Sequence, residues 1–188
     1  MITFQKIKWK NFLSTGDHWS EIDFTGHTTN LVVGTNGSGK STMLDALTFA
    51  LFNKPFRKIN KSQLVNATNE KDCCVEVEFS VNNKDYLVRR SIKPNKFDIE
   101  VNGTLLHKES DDRLNQKILE ENILKVNYKS FTQIVILGSS SFVPFMQLST
   151  SNRRDVIEDL LDIRIFSAMN NLIKEKIRTE KELSLIHI

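Results

Sequence analysis

The spacing of apolar residues changes several times along this chain, and each change marks an element. Ile2, Phe4, Ile7 and Trp9 suggest an opening strand, with Asn11-Phe12-Leu13-Ser14-Thr15-Gly16 as its turn. Trp19, Ile22 and Phe24 mark a second strand, closed by Thr25-Gly26. Asn30-Leu31-Val32-Val33 reads as a short apolar strand entering a glycine-rich loop. After Ser41 the spacing becomes helical: Met43, Leu44, Leu47, Ala50 and Leu51 share one side, and the helix is expected to stop near Phe52-Asn53, ahead of Pro55. Residues 73–101 return to period two. Cys73, Val75, Val77 and Phe79 alternate with Cys74, Glu76 and Glu78, strands follow over 86–90 and 97–101, and Asn82-Asn83 and Asn102-Gly103 supply the turns of an antiparallel meander. Residues 110–126 read as a helix with Leu114, Ile118 and Leu119 on one side, 131–137 as a buried strand, and 138–141 as a loop. Ser149-Thr150-Ser151-Asn152 is a cluster of helix-capping residues. Beyond it, apolar positions from Val156 to Ile177 recur at threes and fours, and the stripe thins after Lys174. That pattern fits a helix leaving a globular head as a coiled-coil arm, or an ordinary amphipathic helix. The whole is an α/β pattern.

Composition narrows the class. The chain has 188 residues, 39% hydrophobic and 26% charged, with 7 Gly and 3 Pro, which excludes collagen-like and broadly disordered proteins. No apolar run approaches the roughly 20 residues that span a bilayer, so no membrane partner is expected. The two cysteines are adjacent, Cys73 and Cys74, and strand neighbours point to opposite faces. No disulfide framework is available, which fits a reducing cytoplasm. The net charge of +3 is small, but positive residues cluster: Lys6, Lys8 and Lys10; Lys54, Arg57, Lys58 and Lys61; Lys84, Arg89, Arg90, Lys93 and Lys96. Such clusters could meet a phosphate backbone, or could be solvated faces and loops.

One segment carries explicit chemistry. Gly34-Thr35-Asn36-Gly37-Ser38-Gly39-Lys40-Ser41 fits G-x-x-x-x-G-K-[ST] without exception, between an apolar run and a helical pattern. Glycines let the backbone curl so that its N–H groups point at a phosphate, and the following helix N-terminus adds positive charge. Lys40 is expected to reach the β- and γ-phosphates, Ser41 to bind Mg²⁺ and Thr42 to donate to the α-phosphate. A P-loop NTPase is therefore expected, with ATP and Mg²⁺. Hydrolysis also needs an acidic residue after an apolar strand. No four apolar residues followed by Asp occur here. Phe97-Asp98-Ile99-Glu100 lacks the run, and Ile157-Glu158-Asp159 lies in a helical pattern.

Lys10-Asn11-Phe12-Leu13-Ser14 before the loop and Leu44-Asp45-Ala46-Leu47-Thr48-Phe49-Ala50-Leu51-Phe52 after it resemble the SMC-like, ABC-type ATPases. Within these the chain is similar to the ATPase subunits of the SbcC-type recombination and repair nucleases. Residues 39–57 and 141–149 are similar to that family's T-even phage members. The resemblance implies the N-terminal lobe of a split head. A coiled coil would follow, and a C-terminal lobe would supply the signature motif and the acidic Mg²⁺ strand. It implies residues 1–150 as the lobe and 151–182 as the root of the arm. It implies a glutamine loop at Gln133, contacting Mg²⁺ and sensing the γ-phosphate; a glutamine capping a sheet edge is the plainer alternative. Asn11 and Ser14 would lie near the nucleotide, while Leu13 stands where some members have a basic residue. Arg153 and Arg154 match arginines at the arm's base. In the complete protein the implied function is an ATPase that repairs DNA double-strand breaks. Its heads would dimerise around ATP, and it would control a calcineurin-like, SbcD-type nuclease at double-stranded DNA ends in the cytoplasm of a bacterial or phage-infected cell. Lys54, Arg57, Lys58, Lys61, Arg89, Arg90, Lys93 and Lys96 become candidates for DNA contact. This chain alone is then expected to be inactive. The alternative is an ABC-type nucleotide-binding module or switch without DNA function.

Residues 183–188, Leu-Ser-Leu-Ile-His-Ile, break the charged pattern. Their permitted codons resemble a sequencing adapter read in frame, so a truncated reading frame is expected there, with a natural end as the alternative.

Overall fold

The computed structural model describes residues 2–106, 112–137, 143–161 and 163–186, with only the backbone of 164 and 183–186. The expected 138–141 loop therefore lies outside the described residues, as do His187 and Ile188 of the apolar tail. Residues Met1–Tyr128 and Lys129–Ile188 form two compact units.

The first unit is built on one six-stranded antiparallel sheet in the order β2-β1-β3-β4-β5-β6. Its strands are β1 (Ile2–Lys10), β2 (Ser20–Asp23), β3 (Cys73–Val81), β4 (Lys84–Ile92), β5 (Lys96–Val101) and β6 (Thr104–Leu105). The expected turns close the hairpins. Asn82 and Asn83 both take positive φ (49° and 62°), as do Asn102 and Gly103 (49° and 77°), the geometry that matches a two-residue turn to strand twist. Period-two patterning then sends alternate side chains to one face. Ile7, Val77, Val88 and Ile99 form one buried cross-strand row, and Trp9, Val75, Arg90 and Phe97 the next. Helix α1 (Thr42–Phe52) packs on this face and is buried along nearly its whole length, from Thr42 to Phe52. It ends where expected, with Asn53 in the left-handed conformation (φ 57°) and its N–H donating to Phe49 O.

Arg89 and Arg90 are sequence neighbours on opposite faces, and the structure corrects the expectation that both could contact DNA. Arg90 is 4% exposed and its guanidinium lies 3.6 Å from the Phe97 ring centroid. Its Nε donates to Ala50 O at 3.0 Å and its Nη2 to Gln116 Oε1 at 2.6 Å. Gln116 Nε2 in turn donates to Leu51 O at 2.9 Å. Two side chains thus satisfy carbonyls that the end of α1 leaves open. Burial pushes the Arg90 pKa down to about 10. Arg89 points outward but is bound by Glu76 (2.6 Å) and Glu100 (3.7 Å). It stands in a cross-strand row of alternating sign, Glu21, Lys8, Glu76, Arg89, Asp98. Opposite charges facing each other across strands contribute about 0.2–1 kcal/mol each and leave little net field for a polyanion.

Other expectations are corrected. Leu31 and Val33 form no strand; the run has no regular structure, pairs with nothing among the described residues, and leaves these side chains 88% and 81% exposed. The 110–126 helix is α2 (Asp112–Lys117) running into a π-helical segment (Ile118–Leu124) that ends at left-handed Lys125. The π turn rotates the apolar side, so Leu119, Ile123 and Leu124 are buried while Leu114 is 51% exposed.

In the second unit, residues 131–137 are not a strand. Helix α3 (Tyr128–Ile134) spans the start of that run. A helix closes its own backbone hydrogen bonds, whereas a strand needs a ladder partner. Here Ser130 Oγ donates to Asp159 Oδ2, and Lys129 Nζ pairs with Asp155 Oδ2 at 3.2 Å, tying α3 to α4 (Thr150–Leu160). Helix α4 is capped by Ser149, whose hydroxyl accepts from Asn152 N–H. The long terminal helix is interrupted: α4 ends at Leu160 and α5 runs Arg164–Ile186, with Ile165, Phe166, Met169, Leu172, Ile173 and Ile177 exposed.

Replacing Arg90 by Ala removes the partner of a buried carbonyl and of the part-buried Gln116 amide, and should cost about 2–4 kcal/mol. Arg89→Ala should cost at most about 1 kcal/mol. Urea unfolding midpoints of the two variants measure the difference.

Candidate functional site

The glycine-rich loop leads directly into α1. Gly37 and Gly39 sit at φ 86° and 93°, where an L side chain is strained. At Gly34 the reason is space, because an added Cβ would stand 2.5 Å from Ser38 Oγ. The loop is closed by Ser38 N–H to Thr35 O (3.2 Å) and Thr42 N–H to Gly39 O (2.9 Å). Lys40 Nζ donates to Gly34 O (2.5 Å) and Thr35 O (2.7 Å), so its ammonium lies across the mouth of the loop. Ser41 is the N-cap residue of α1, yet its hydroxyl makes no capping bond.

A cavity of about 570 Å³ opens on this loop, a size suited to a small organic ligand. Asn36, Gly37, Gly39, Lys40, Ser41 and Thr42 line one side of it. Leu13 and Ser14 from the turn after β1 line another, with Arg57, Ile59, Gln63, Val65 and Ala67 from the stretch after α1. Gly34 and Ser38, expected at the ligand, are not among the lining residues; they pack against each other within the loop. Asn11 does not line the cavity, correcting its expected place at the ligand. It is 1% exposed, with Nδ2 donating to Asp17 Oδ1 (3.0 Å) and Oδ1 accepting from Asn69 Nδ2 (2.6 Å), so its amide is consumed in holding the turn.

Arg57 was expected among the DNA contacts and instead faces the cavity. Its Nη2 and Nε lie 2.5 Å and 2.6 Å from Asp45 Oδ2, and its backbone N–H donates to Asp45 Oδ1 at 2.9 Å. Asp45 is a fully buried carboxylate in the first turn of α1. Its sequence signal is an acid inside the apolar run Leu44-Asp45-Ala46-Leu47, which once buried needs a cation, hydrogen-bond donors or a proton. Which arginine answers it could not be read, because Arg57 lies beyond the end of the helix.

The remaining basic residues divide. Lys54 lies 5.7 Å from the Tyr128 ring and Lys61 5.9 Å from the Phe49 ring. Partial burial, and then Arg90, lower the Lys61 pKa. Lys58, Lys93 and Lys96 are exposed. Gln133 belongs to the second unit, on α3, where its Oε1 is buried without a hydrogen-bond partner among the described residues. There too, Arg153 Nη1 donates to Met146 O at 2.9 Å, and Arg154 pairs with Glu158 at 3.8 Å.

Among the described residues no cluster of three or more His, Cys, Asp or Glu is arranged to hold a metal. The donor set does suit Mg²⁺ of the kind held by ligand phosphates, waters and one hydroxyl, which Ser41 offers.

A sequence profile described as an AAA domain matches residues 6–186. This chain belongs to the AAA domain family. It is 43% identical over 169 residues to exonuclease subunit 2 of Enterobacteria phage T4, covering 90% of this chain and 30% of that protein. It is 40% identical to exonuclease subunit 2 of Escherichia phage RB69, covering 92% and 31%. Against the DNA double-strand break repair Rad50 ATPase of Methanococcus maripaludis the identity is 32%, covering 91% and 17%. The chain thus spans a third or less of the length of these relatives. Two solved structures share its fold. One comes from a study of ATP-driven dimerization and DNA-stimulated activation of SMC ATPases (TM-score 0.58, 21% identity, covering 84% of this chain and 99% of that one). The other is the Smc head domain with an extended coiled coil bound to the C-terminal domain of ScpA, derived from Pyrococcus furiosus (TM-score 0.63, 22% identity, covering 97% and 47%). The expected α/β head lobe is therefore the fold found.

Arg57→Ala would leave the Asp45 carboxylate buried without its cation, and should cost about 2–3 kcal/mol, the partly exposed guanidinium keeping the figure low. With Asp45→Asn in the same chain the two losses should fail to add by about 1 kcal/mol or more, read from a double-mutant cycle of urea unfolding.

Proposed function

We propose that this chain is the N-terminal ATPase lobe of a DNA double-strand-break repair and recombination ATPase. ATP-driven pairing of its heads would control a partner nuclease of the SbcD type at DNA ends. The observation that carries the reading is the phosphate loop itself: a glycine-rich turn, the Lys40 ammonium, an uncommitted Ser41 hydroxyl and a helix N-terminus converge on one cavity. In it Lys40 and the loop N–H groups would bind triphosphate, Ser41 would hold Mg²⁺, and Thr42 would donate to the phosphate nearest the sugar. Mg²⁺ would neutralise charge on the β- and γ-phosphates. Gln133 is assigned the role of contacting that ion and sensing the γ-phosphate, as the resemblance carried by Phe131-Thr132-Gln133-Ile134 implies.

The lobe is proposed to occupy residues 1–150 and the arm root 151–182, where the exposed apolar stripe of α5 supports a coiled coil. A strand-forming run left exposed at Leu31 and Val33, just ahead of the phosphate loop, supports completion of the head by a second lobe. That lobe would bring the acidic residue that this chain lacks. No helix among the described residues is long and apolar enough to cross a membrane.

ATP turnover should be negligible for the chain alone and appear when it is mixed with a matching C-terminal lobe; Lys40→Ala should abolish it in the mixture. Robust turnover by the 188 residues alone would sink the split-head reading.

DNA contact is assigned to Lys54, Lys58, Lys61, Lys93 and Lys96, without Arg57, Arg89 and Arg90. Neutralising Lys54, Lys58 and Lys61 in the paired heads should flatten the plot of log affinity against log salt by about 0.9 per lost phosphate contact. An unchanged slope rejects the assignment.

A further inference from the structure

Part of the cavity lining outside the phosphate loop comes from two segments distant in sequence. Leu13 and Ser14 come from the turn after β1, and Val65 and Ala67 follow the 3-10 turn Lys61–Leu64. Backbone bonds zip the segments together: Leu13 N–H donates to Leu64 O (2.7 Å) and Asn66 N–H to Asn11 O (2.9 Å), around an isolated bridge between Phe12 and Val65.

One side chain completes the seam. Asn66 Nδ2 donates to Leu13 O (3.1 Å) and to Thr15 O (3.0 Å), while Oδ1 accepts from the N–H groups of Thr68 (2.9 Å) and Asn69 (3.0 Å). Both donors and both acceptor positions of the amide are used, in a residue only 8% exposed. Leu13 sits at φ 55°, a conformation a leucine keeps only where its surroundings impose it. The bond from Asn66 to the Leu13 carbonyl is part of that imposition. Asn66 lies between Val65 and Ala67, so one residue fixes both halves of the wall and touches no residue of the phosphate loop in any of these bonds.

We infer that Asn66 is a positioning residue for the nucleoside half of the ligand. It holds Leu13, Val65 and Ala67 as a preformed apolar seat for the base while the phosphate cradle stands independently of it. The inference rests on the nucleotide-site reading above. A wall held rigid before binding loses little order when the ligand arrives. An unpinned wall would weaken only what the base and sugar contribute.

The test compares two probes on the 188-residue chain in Mg²⁺, ATP and inorganic tripolyphosphate, by NMR-monitored titration. Asn66→Asp keeps acceptors for Thr68 and Asn69 and removes both donors to the turn. It should weaken ATP by about tenfold or more and tripolyphosphate by less than about twofold. Equal loss for both probes, or unchanged ATP affinity, overturns the inference. Lys40→Ala should weaken both probes. Failure of the unsubstituted chain to bind either one overturns the nucleotide-site reading and this inference with it. Should Asn66→Asp not fold, amide hydrogen exchange on the unsubstituted chain decides. ATP should slow exchange at residues 12–15 and 65–69 as well as at 36–42, and tripolyphosphate at 36–42 alone. The same protection pattern with both probes overturns the proposal.

Discussion

A helix that ends inside a protein leaves carbonyls facing apolar surroundings, and α1 is such a helix. Its first turn presents the phosphate loop and its last turn lies under the sheet. Arg90 and Gln116 donate to the carbonyls of Ala50 and Leu51, and Phe97 covers the guanidinium. An unmet carbonyl there would cost roughly 1–3 kcal/mol, comparable to the net worth of several ordinary hydrogen bonds. The buried arginine is therefore the condition under which an apolar helix can carry a polar site at its other end. Asp45 poses the complementary problem near the start of α1, an anion in the core, and Arg57 resolves it from the edge of the cavity. Both ends of one short helix are held by arginines that lie outside it.

The same residue type does opposite things on the two sheet faces. Inside, Arg90 interrupts an apolar row and is stabilised by hydrogen bonds and an aromatic face. Outside, Arg89 belongs to a ladder in which Glu76 and Glu100 cancel its charge. Counting basic residues along the chain treats the two alike. On the sheet face, opposite charges pair across strands, whereas Lys58, Lys93 and Lys96 stand exposed on the segment after α1 and at the β4–β5 turn.

Much of this was legible in the sequence wherever local rules and burial agree. The meander follows from period two and from Asn-Asn and Asn-Gly turns whose positive φ angles fit strand twist. Helix α1 follows from its spacing, and Asn53 ends it. The phosphate loop follows from residue type alone. The misreadings arose where a segment's conformation depends on a neighbour. Residues 131–137 are rich in β-branched side chains, yet Ser130 and Lys129 tie the run to α4 as a helix. Leu31 to Val33 has strand chemistry and no ladder among the described residues. Asn11 was drawn to the ligand by its place in a motif, whereas its amide serves the turn. Asp45, Arg57 and Asn66 matter through partners far off in sequence, and no local pattern announces those pairings.

Arg89 and Arg90 also constrain how the chain can change length. Strand side chains alternate strictly, so deleting one residue between the Asn82-Asn83 turn and Arg89 would exchange the two environments if pairing were kept from the turn. The guanidinium meant for the outer ladder would enter the core, and Val88 would move out to solvent. Substitutions in β4 can be absorbed one residue at a time, but an odd insertion or deletion alters every position at once. The count of residues from turn to arginine is thus as much a part of this fold's information as the arginine itself.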